Sequence, residues 1–593
     1  MLRRNLPFFL GASLAAWPAL AQNPATMFPP VRGLHEMVAA ANNLEVEAGF
    51  RMLAAGGNAV DAGVAATLTA TVTEQSRVGL GGEIPILIKL AGQPPIAISG
   101  VGVAPAKATV EWYTNRQREP WEPAGRTPAP IPNIGIHAAI TPGLVDGLLL
   151  ALEKYGSMSF AQVAQPAIES ADGFPIGDEF SQFLTELARI FPYWPRSYQF
   201  FYPTGKPPHH GDLVRMPDLA KTLREMAAAE QSAKGDRAAK IRAVHDLFYK
   251  GDLAKRMAAF SESTGGLLAY DDLAKFHAET DTPRSTTYRG YTIYKTGFWA
   301  QGPVMLEALN ILEGFDLHAM GHNTPQYLHT VIEALKLAFA DRDRYYGDPK
   351  FSKIPEQILL SKEYAAERRK LIDPQTASLE SRPGELHASV AMAGGGGVSK
   401  DSDTTCVNVM DRMGNAFTAT PSGAWIPSVI ANDTGIPFSV RLESFVLTPG
   451  HANQLAPGKR PRVTLSPTLV MKDGELAFTL STPGGDNQDQ ALLQVLLNIV
   501  EFSMQPQEAV EEARFQSKHF YNSFGYHEFT PGQLSLENRI PRSVGDRLAQ
   551  MGHKVQWEEA WSNTSAPTVI LKAADGVLMG GADPRRSRFV FGR

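Results

Sequence analysis

Only one cysteine, Cys406, occurs in the 593 residues, which rules out an internal disulfide and any multi-cysteine metal site. An excess of positive charge is also missing: 56 basic residues face 61 acidic ones, a net charge of -5, which leaves no electrostatic footprint for nucleic acid. Beyond the N-terminus, no apolar run reaches membrane-spanning length without polar interruption. There is no internal repeat or low-complexity tract, so a solenoid is excluded. Three common catalytic signatures are absent: the Gly-x-Ser-x-Gly elbow, His-Glu-x-x-His, and the phosphate-binding Gly-x-x-x-x-Gly-Lys. The adjacent His209 and His210 lack a third ligand at metal spacing, so neither a metal nor another cofactor is expected.

What is present is an ordinary globular composition, 44% hydrophobic and 20% charged. At the N-terminus, Arg3 and Arg4 precede an apolar run from Leu6 to Leu20 that ends in Ala19-Leu20-Ala21. This reads as a signal peptide over residues 1–21, cut before Gln22, and implies export, with a bacterial periplasm as the expected place and no anchor left after removal. Apolar residues at helical spacing mark helices over Asn43–Ala55, from Val60 to about Thr73, from Thr141 to Leu152 and over Gln326–Tyr346. Residues 111–135, rich in proline and tryptophan, read as an irregular connection. Three hairpins with similar turns fall in the last third, at Val407–Thr420, Thr468–Leu480 and Thr568–Met579, and Gln490–Met504 is a nearly all-apolar helix between the last two. Residues 22–403 are thus helix-rich and residues 404–593 form a sheet core. An α+β fold built as a four-layer αββα sandwich satisfies both halves.

Ala393 to Ser402 includes four consecutive glycines and almost no apolar side chains, and it runs into the β-branched stretch Thr404 to Val409. A surface loop feeding a sheet is one reading. The other is a cleavage site between Asp403 and Thr404, after which the threonine hydroxyl is a nucleophile and its own α-amino group the base. Cys406, amid apolar residues, reads as a buried structural thiol instead. A strand ending in Ser481-Thr482-Pro483-Gly484-Gly485 can aim successive backbone amides at one point, as an oxyanion hole requires.

Taken together, these segments resemble the γ-glutamyltranspeptidase (glutathione hydrolase) family, within the N-terminal-nucleophile hydrolases. The shared markers are Gly56-Gly57-Asn58-Ala59-Val60-Asp61-Ala62, Gly79-Leu80-Gly81-Gly82, Ala104-Pro105-Ala106-Lys107-Ala108, Tyr288-Arg289-Gly290-Tyr291, Ala340-Asp341-Arg342, Asp403-Thr404-Thr405, Lys459-Arg460-Pro461, Ser466-Pro467-Thr468 and Pro483-Gly484-Gly485. The resemblance implies that Thr404 attacks the Asp403 carbonyl and splits the chain into a large and a small subunit that stay together. It implies that Thr404 then forms an acyl-enzyme, which water or an acceptor amine releases. Ser422 falls at the position of the supporting hydroxyl, and Gly484 and Gly485 at the oxyanion hole.

The same resemblance exposes departures where a glutamyl head group would bind. Val101 stands in place of the carboxylate-gripping arginine, Ala424 and Ser444 replace the groups that meet the α-amino nitrogen, and of a serine pair only Thr464, beside Val463, keeps a hydroxyl. Arg77 or Arg441 could supply a displaced positive charge, and Trp299, Gln301 and Trp425 could line an altered pocket. The expected protein is a self-processing amide hydrolase or acyltransferase with a non-glutamyl acyl preference. The alternatives are an authentic glutathione hydrolase and an unprocessed, non-catalytic periplasmic binding protein.

Overall fold

The computed structural model describes residues 26–593 apart from residues 126, 396 and 398–403. The expected signal peptide and Asp403 lie outside the described residues. Two antiparallel seven-stranded sheets stack face to face. The first runs, in spatial order, Val31–Gly33, Leu578–Ala582, Thr568–Lys572, Glu475–Ser481, Thr468–Lys472, Tyr291–Lys295 and Arg284–Tyr288. The second runs Phe589–Gly592, Met37–Ala40, Val407–Met410, Ala416–Ala419, Ile84–Lys89, Ile96–Gly100 and Glu279–Asp281. Met37, Ala39, Leu87, Met410, Leu469, Met471 and Ile570 fill the space between them.

Helices cover both outer faces, which completes the αββα sandwich. Over the second sheet lie Asn43–Ala54, Ala59–Thr73 and Leu144–Tyr155; over the first lie Pro303–Leu312 and Gln488–Val500, with Pro325–Tyr345 packed behind them. The helix Ala59–Thr73 is buried on every side, so its chain is apolar or threonine all round rather than striped. Asn58 accepts from the Val60 and Asp61 amides while Asp61 returns a bond to the Asn58 amide, a reciprocal N-terminal cap. Gly63 on this helix lies against the Phe417 ring; a Cβ there would come within 2.2 Å of it, so only glycine lets the helix approach the sheet this closely.

The three predicted hairpins form with the expected partners. Some boundaries differ. The helix expected from Thr141 starts at Leu144, with Gly143 as its cap. The apolar helix expected to reach Met504 ends at Val500, because Ser503 takes a left-handed conformation (φ 55°) and Pro506 opens a separate helix, Pro506–Glu511. Within residues 111–135, read as irregular, Thr109 caps a short helix, Val110–Asn115, through a bond from the Trp112 amide.

Candidate active site

The hairpin Val407–Met410 / Ala416–Ala419 is closed by Asp411, whose carboxylate accepts from the Met413 and Asn415 amides and, across the layer boundary, from the Ala59 amide at 2.8 Å. One aspartate therefore sets the turn and caps the buried helix above it. Its register pairs Val407 with Ala419, and the same register carried toward the open end sets Thr404 opposite Ser422. Ser422 in turn lies opposite Glu83, with backbone bonds of 2.9 Å in both directions. Thr404, Ser422 and Glu83 thus lie side by side on three neighbouring segments at one end of the second sheet.

Their side chains form a connected group. Thr404 Oγ1 and Ser422 Oγ share a hydrogen bond of 3.1 Å, and Arg441 Nη2 donates to Ser422 Oγ at 3.0 Å. Arg441 Nε donates to the Glu83 carboxylate, whose other oxygen accepts from Ser439 Oγ at 3.2 Å. The guanidinium lies over Trp425, 4.7 Å from the ring centre, and near Phe524 at 5.6 Å. All five polar side chains are buried. Arg441 Nη1 has no hydrogen-bond partner among the described residues. A buried donor left open beside a hydroxyl pair is costly unless something else occupies it, which makes it a ready contact for a carbonyl or carboxylate.

The glycine element is positioned from the facing sheet. Asn408, four residues after Thr404, donates to Ser481 Oγ at 3.0 Å and Thr568 Oγ1 at 2.8 Å, joining the inner faces. The strand Glu475–Ser481 then leaves the sheet and turns through Gly484 (φ 118°) and Gly485 (φ 56°). A Cβ on Gly484 would stand 2.2 Å from Ser565 Oγ, so both space and backbone angle demand glycine. The loop is braced from below: Gln301 Nε2 reaches the Gly485 carbonyl at 3.4 Å, and Arg342 holds Gln301 Oε1 at 2.9 Å together with the Asp486 carboxylate.

The structure brings Thr404, Ser422 and Arg441 into direct contact. Arg77 belongs to a different group: it pairs with Glu179 at 2.5 Å, lies over Phe183, and shares a buried cluster with Glu74, Arg586 and Arg588. Burial, with neighbouring Arg586, pulls its pKa down to about 10. Cys406 is buried and its thiol is pushed up by desolvation, the opposite of what a nucleophile needs. Thr464 is buried, and its hydroxyl has no partner among the described residues. Val101 packs with Trp299, Ala300, Val463 and Leu465 into a small apolar cluster, and Arg460 lies over Trp299 at 5.5 Å. Trp425 packs with Ala138 and Val440.

Sequence reasoning passed over Glu83, the partner that fixes Arg441. Its signal was a single carboxylate at the mouth of an otherwise apolar strand, directly after Gly81-Gly82.

Two inner sheets between helical layers, with hydroxyl side chains gathered at one end of them, define the class: an N-terminal-nucleophile hydrolase. The chain belongs to the γ-glutamyltranspeptidase family, whose model matches residues 46–592. It is 33% identical over 576 residues to the glutathione hydrolase proenzyme of Escherichia coli (strain K12), covering 94% of this chain and 92% of that protein. It is 33% identical over 536 residues to the acylase ACY 1 proenzyme of Pseudomonas sp. (strain SE83), covering 89% and 88%. Among solved structures, the cephalosporin acylase from Bacillus halodurans superposes with a TM-score of 0.82 at 28% identity, over 98% of this chain and 99% of that one. The chain is accordingly an enzyme of the hydrolase and acyl-transfer class, in a family made as self-processing proenzymes. No helix among the described residues is long and apolar enough to cross a membrane.

Proposed function

We infer that this protein is exported, cleaves itself between Asp403 and Thr404, and then hydrolyses or transfers the acyl group of a small amide whose acyl part is not γ-glutamyl. The observation that carries the reading is the 3.1 Å bond between Thr404 Oγ1 and Ser422 Oγ, with Ser422 held in turn by Arg441. In the uncut chain the Thr404 hydroxyl attacks the Asp403 carbonyl, and water completes the cleavage. The freed α-amino group, with an unperturbed pKa of about 8, accepts the hydroxyl proton when Thr404 attacks the substrate carbonyl. That proton passes to the leaving amine as the C–N bond breaks. Water or an acceptor amine then releases the acyl group, with the Gly484 and Gly485 amides stabilising the oxyanion. Residues 22–403 and 404–593 form the two subunits, and the periplasm is the place of action.

The acyl preference rests on the wall around Val101. Val101, Trp299, Val463 and Leu465 carry no group to grip an α-carboxylate, the nearby Arg460 being turned to the Val101 carbonyl at 3.5 Å and to Glu279 at 3.7 Å, and Ala424 and Ser444 carry no charge for an α-amino group. A bidentate charge-assisted contact typically adds about 1.5–3 kcal/mol per hydrogen bond, so its loss weakens a glutamyl ligand strongly. One observation favours a second reading, an ordinary glutathione hydrolase: the open Nη1 of Arg441 could meet the α-carboxylate from another side. The two are separated by comparing kcat/KM for a γ-glutamyl anilide with that for aliphatic acyl anilides lacking the α-amino and α-carboxylate groups. Preference for the latter supports the altered pocket, and strong preference for the glutamyl compound refutes it.

A further inference from the structure

Two groups of histidine and carboxylate side chains with converging ligand atoms occur among the described residues. In one, the groups are consumed internally: His329 Nδ1 and His553 Nε2 bond each other at 2.9 Å, and Glu333 is held by Lys336 and Arg382. The other, Asp146, His245 and His277, is built differently. Asp146 lies in the first turn of the helix Leu144–Tyr155, and His245 lies near the end of the helix Arg237–Tyr249. His277 lies between the short helix Tyr270–Ala274 and the edge strand Glu279–Asp281. Their ligand atoms all fall within 4.8 Å of one another.

His245 Nε2 is 3.7 Å and His277 Nδ1 3.9 Å from the Asp146 carboxylate. Those separations are too long for hydrogen bonds. They exceed by a few tenths of an ångström the roughly 3.3–3.4 Å between ligand atoms around a tetrahedral ion bound at about 2.0–2.1 Å. His245 is buried, and its Nε2 has no hydrogen-bond partner among the described residues. Its other nitrogen, Nδ1, faces the Asp246 carboxylate at 3.2 Å, which Lys250 steadies from 3.1 Å. A carboxylate on Nδ1 leaves the Nε2 lone pair pointing into the group, the outer support that metal-bound histidines generally have. Asp146 is oriented likewise, because its Oδ2 accepts the Ala278 amide at 2.6 Å. The two imidazoles stack at 5.0 Å and 11°. His277 is 60% exposed, which leaves an entry path, room for water ligands and freedom to close the small gap.

We propose that Asp146, His245 and His277 form a binding site for a divalent cation of the Zn²⁺ class, completed by solvent. Two imidazole nitrogens and one carboxylate suit a borderline transition-metal ion; calcium and magnesium take oxygen ligands. Such an ion would tie two helices to the segment that leads into the edge strand of the second sheet. We assign the ion no part in acyl transfer.

Calorimetric titration of tag-free, chelator-stripped full-length protein with ZnCl2 tests this, with the visible spectrum of the Co²⁺ form as a direct readout of imidazole ligation. One equivalent should bind. His277→Ala, an exposed position whose loss does not threaten folding, and Asp246→Asn should each weaken binding by about 10- to 100-fold and alter the Co²⁺ bands. His210→Ala, at an exposed histidine elsewhere, should leave both unchanged. The site is overturned if His277→Ala binds Zn²⁺ like the parent, or if the parent shows no saturable binding up to millimolar metal; the three side chains are then only a histidine–aspartate cluster.

Discussion

At the scale of single residues, Ser422 links Thr404, the proposed nucleophile, to a buried ion pair, because its hydroxyl bridges Thr404 and Arg441. Replacing Thr404 by alanine is expected to leave the chain uncut and to lower amidase activity by at least about 10³-fold, measured on the denatured protein and with an anilide substrate. Arg441→Met should cost roughly 3–5 kcal/mol in urea unfolding, since Glu83 would be left buried without its counter-charge. Adding Glu83→Gln to that variant should recover most of the stability but not the activity, a result that separates the support of Ser422 from simple folding. The glycine-rich approach to Thr404 is by itself a weak signal, because a surface loop feeding a sheet gives the same pattern; Thr404 stood out through the ordered family motifs around it. The Arg441–Glu83 pair was legible only in half. The arginine stood out as a spare charge, while its partner lies 358 positions away in sequence and meets it only through the sheet register.

At the scale of elements, the turn at Asp411 determines the site. Once that turn is placed, alternation along the hairpin sets Thr404 opposite Ser422, so this part of the geometry was contained in the sequence. The close approach of the helix Ala59–Thr73 was not, because its uniformly small and apolar residues show no preferred face. Gly63→Ala is expected to cost about 1–3 kcal/mol, because the Phe417 ring must move aside; thermal unfolding would show it.

A second element, the loop after Ser444, carries a pH dependence. His451 Nε2 donates to the Asp343 carbonyl at 2.8 Å and its Nδ1 accepts from the Asn453 amide at 3.0 Å, so the ring must be neutral. Asn453 in turn holds the Ser444 carbonyl and the Arg462 amide. Burial, with Arg462 nearby, pulls the His451 pKa down to about 4. The unfolded chain, titrating near pH 6.5, therefore binds the proton first. The stabilisation is complete above about pH 6.5 and is lost as pH falls toward 4, on the order of 3 kcal/mol in all. His451→Gln should lower stability at neutral pH and flatten its dependence between pH 6.5 and 4, which unfolding curves across that range would reveal.

At the scale of the whole molecule, both sheets interleave strands from the two sides of residue 403. Val407–Met410 is hydrogen-bonded to Met37–Ala40, and Thr468–Lys472 to Tyr291–Lys295. A cut before Thr404 therefore severs one peptide bond and leaves every sheet pairing among the described residues in place. The fragments should co-elute in size-exclusion chromatography without denaturant and separate only when the sheets melt. The layered class of the fold was readable from helices gathered in one half and hairpins in the other. The interleaving was not, because strand neighbours from distant segments leave no local pattern. The most direct measurement is the intact mass of the purified protein under denaturing conditions. Two fragments are expected, the smaller beginning at Thr404, together with a single uncut chain for Thr404→Ala. A parent protein that stays one chain while hydrolysing amides would contradict the assignment of Thr404 as nucleophile.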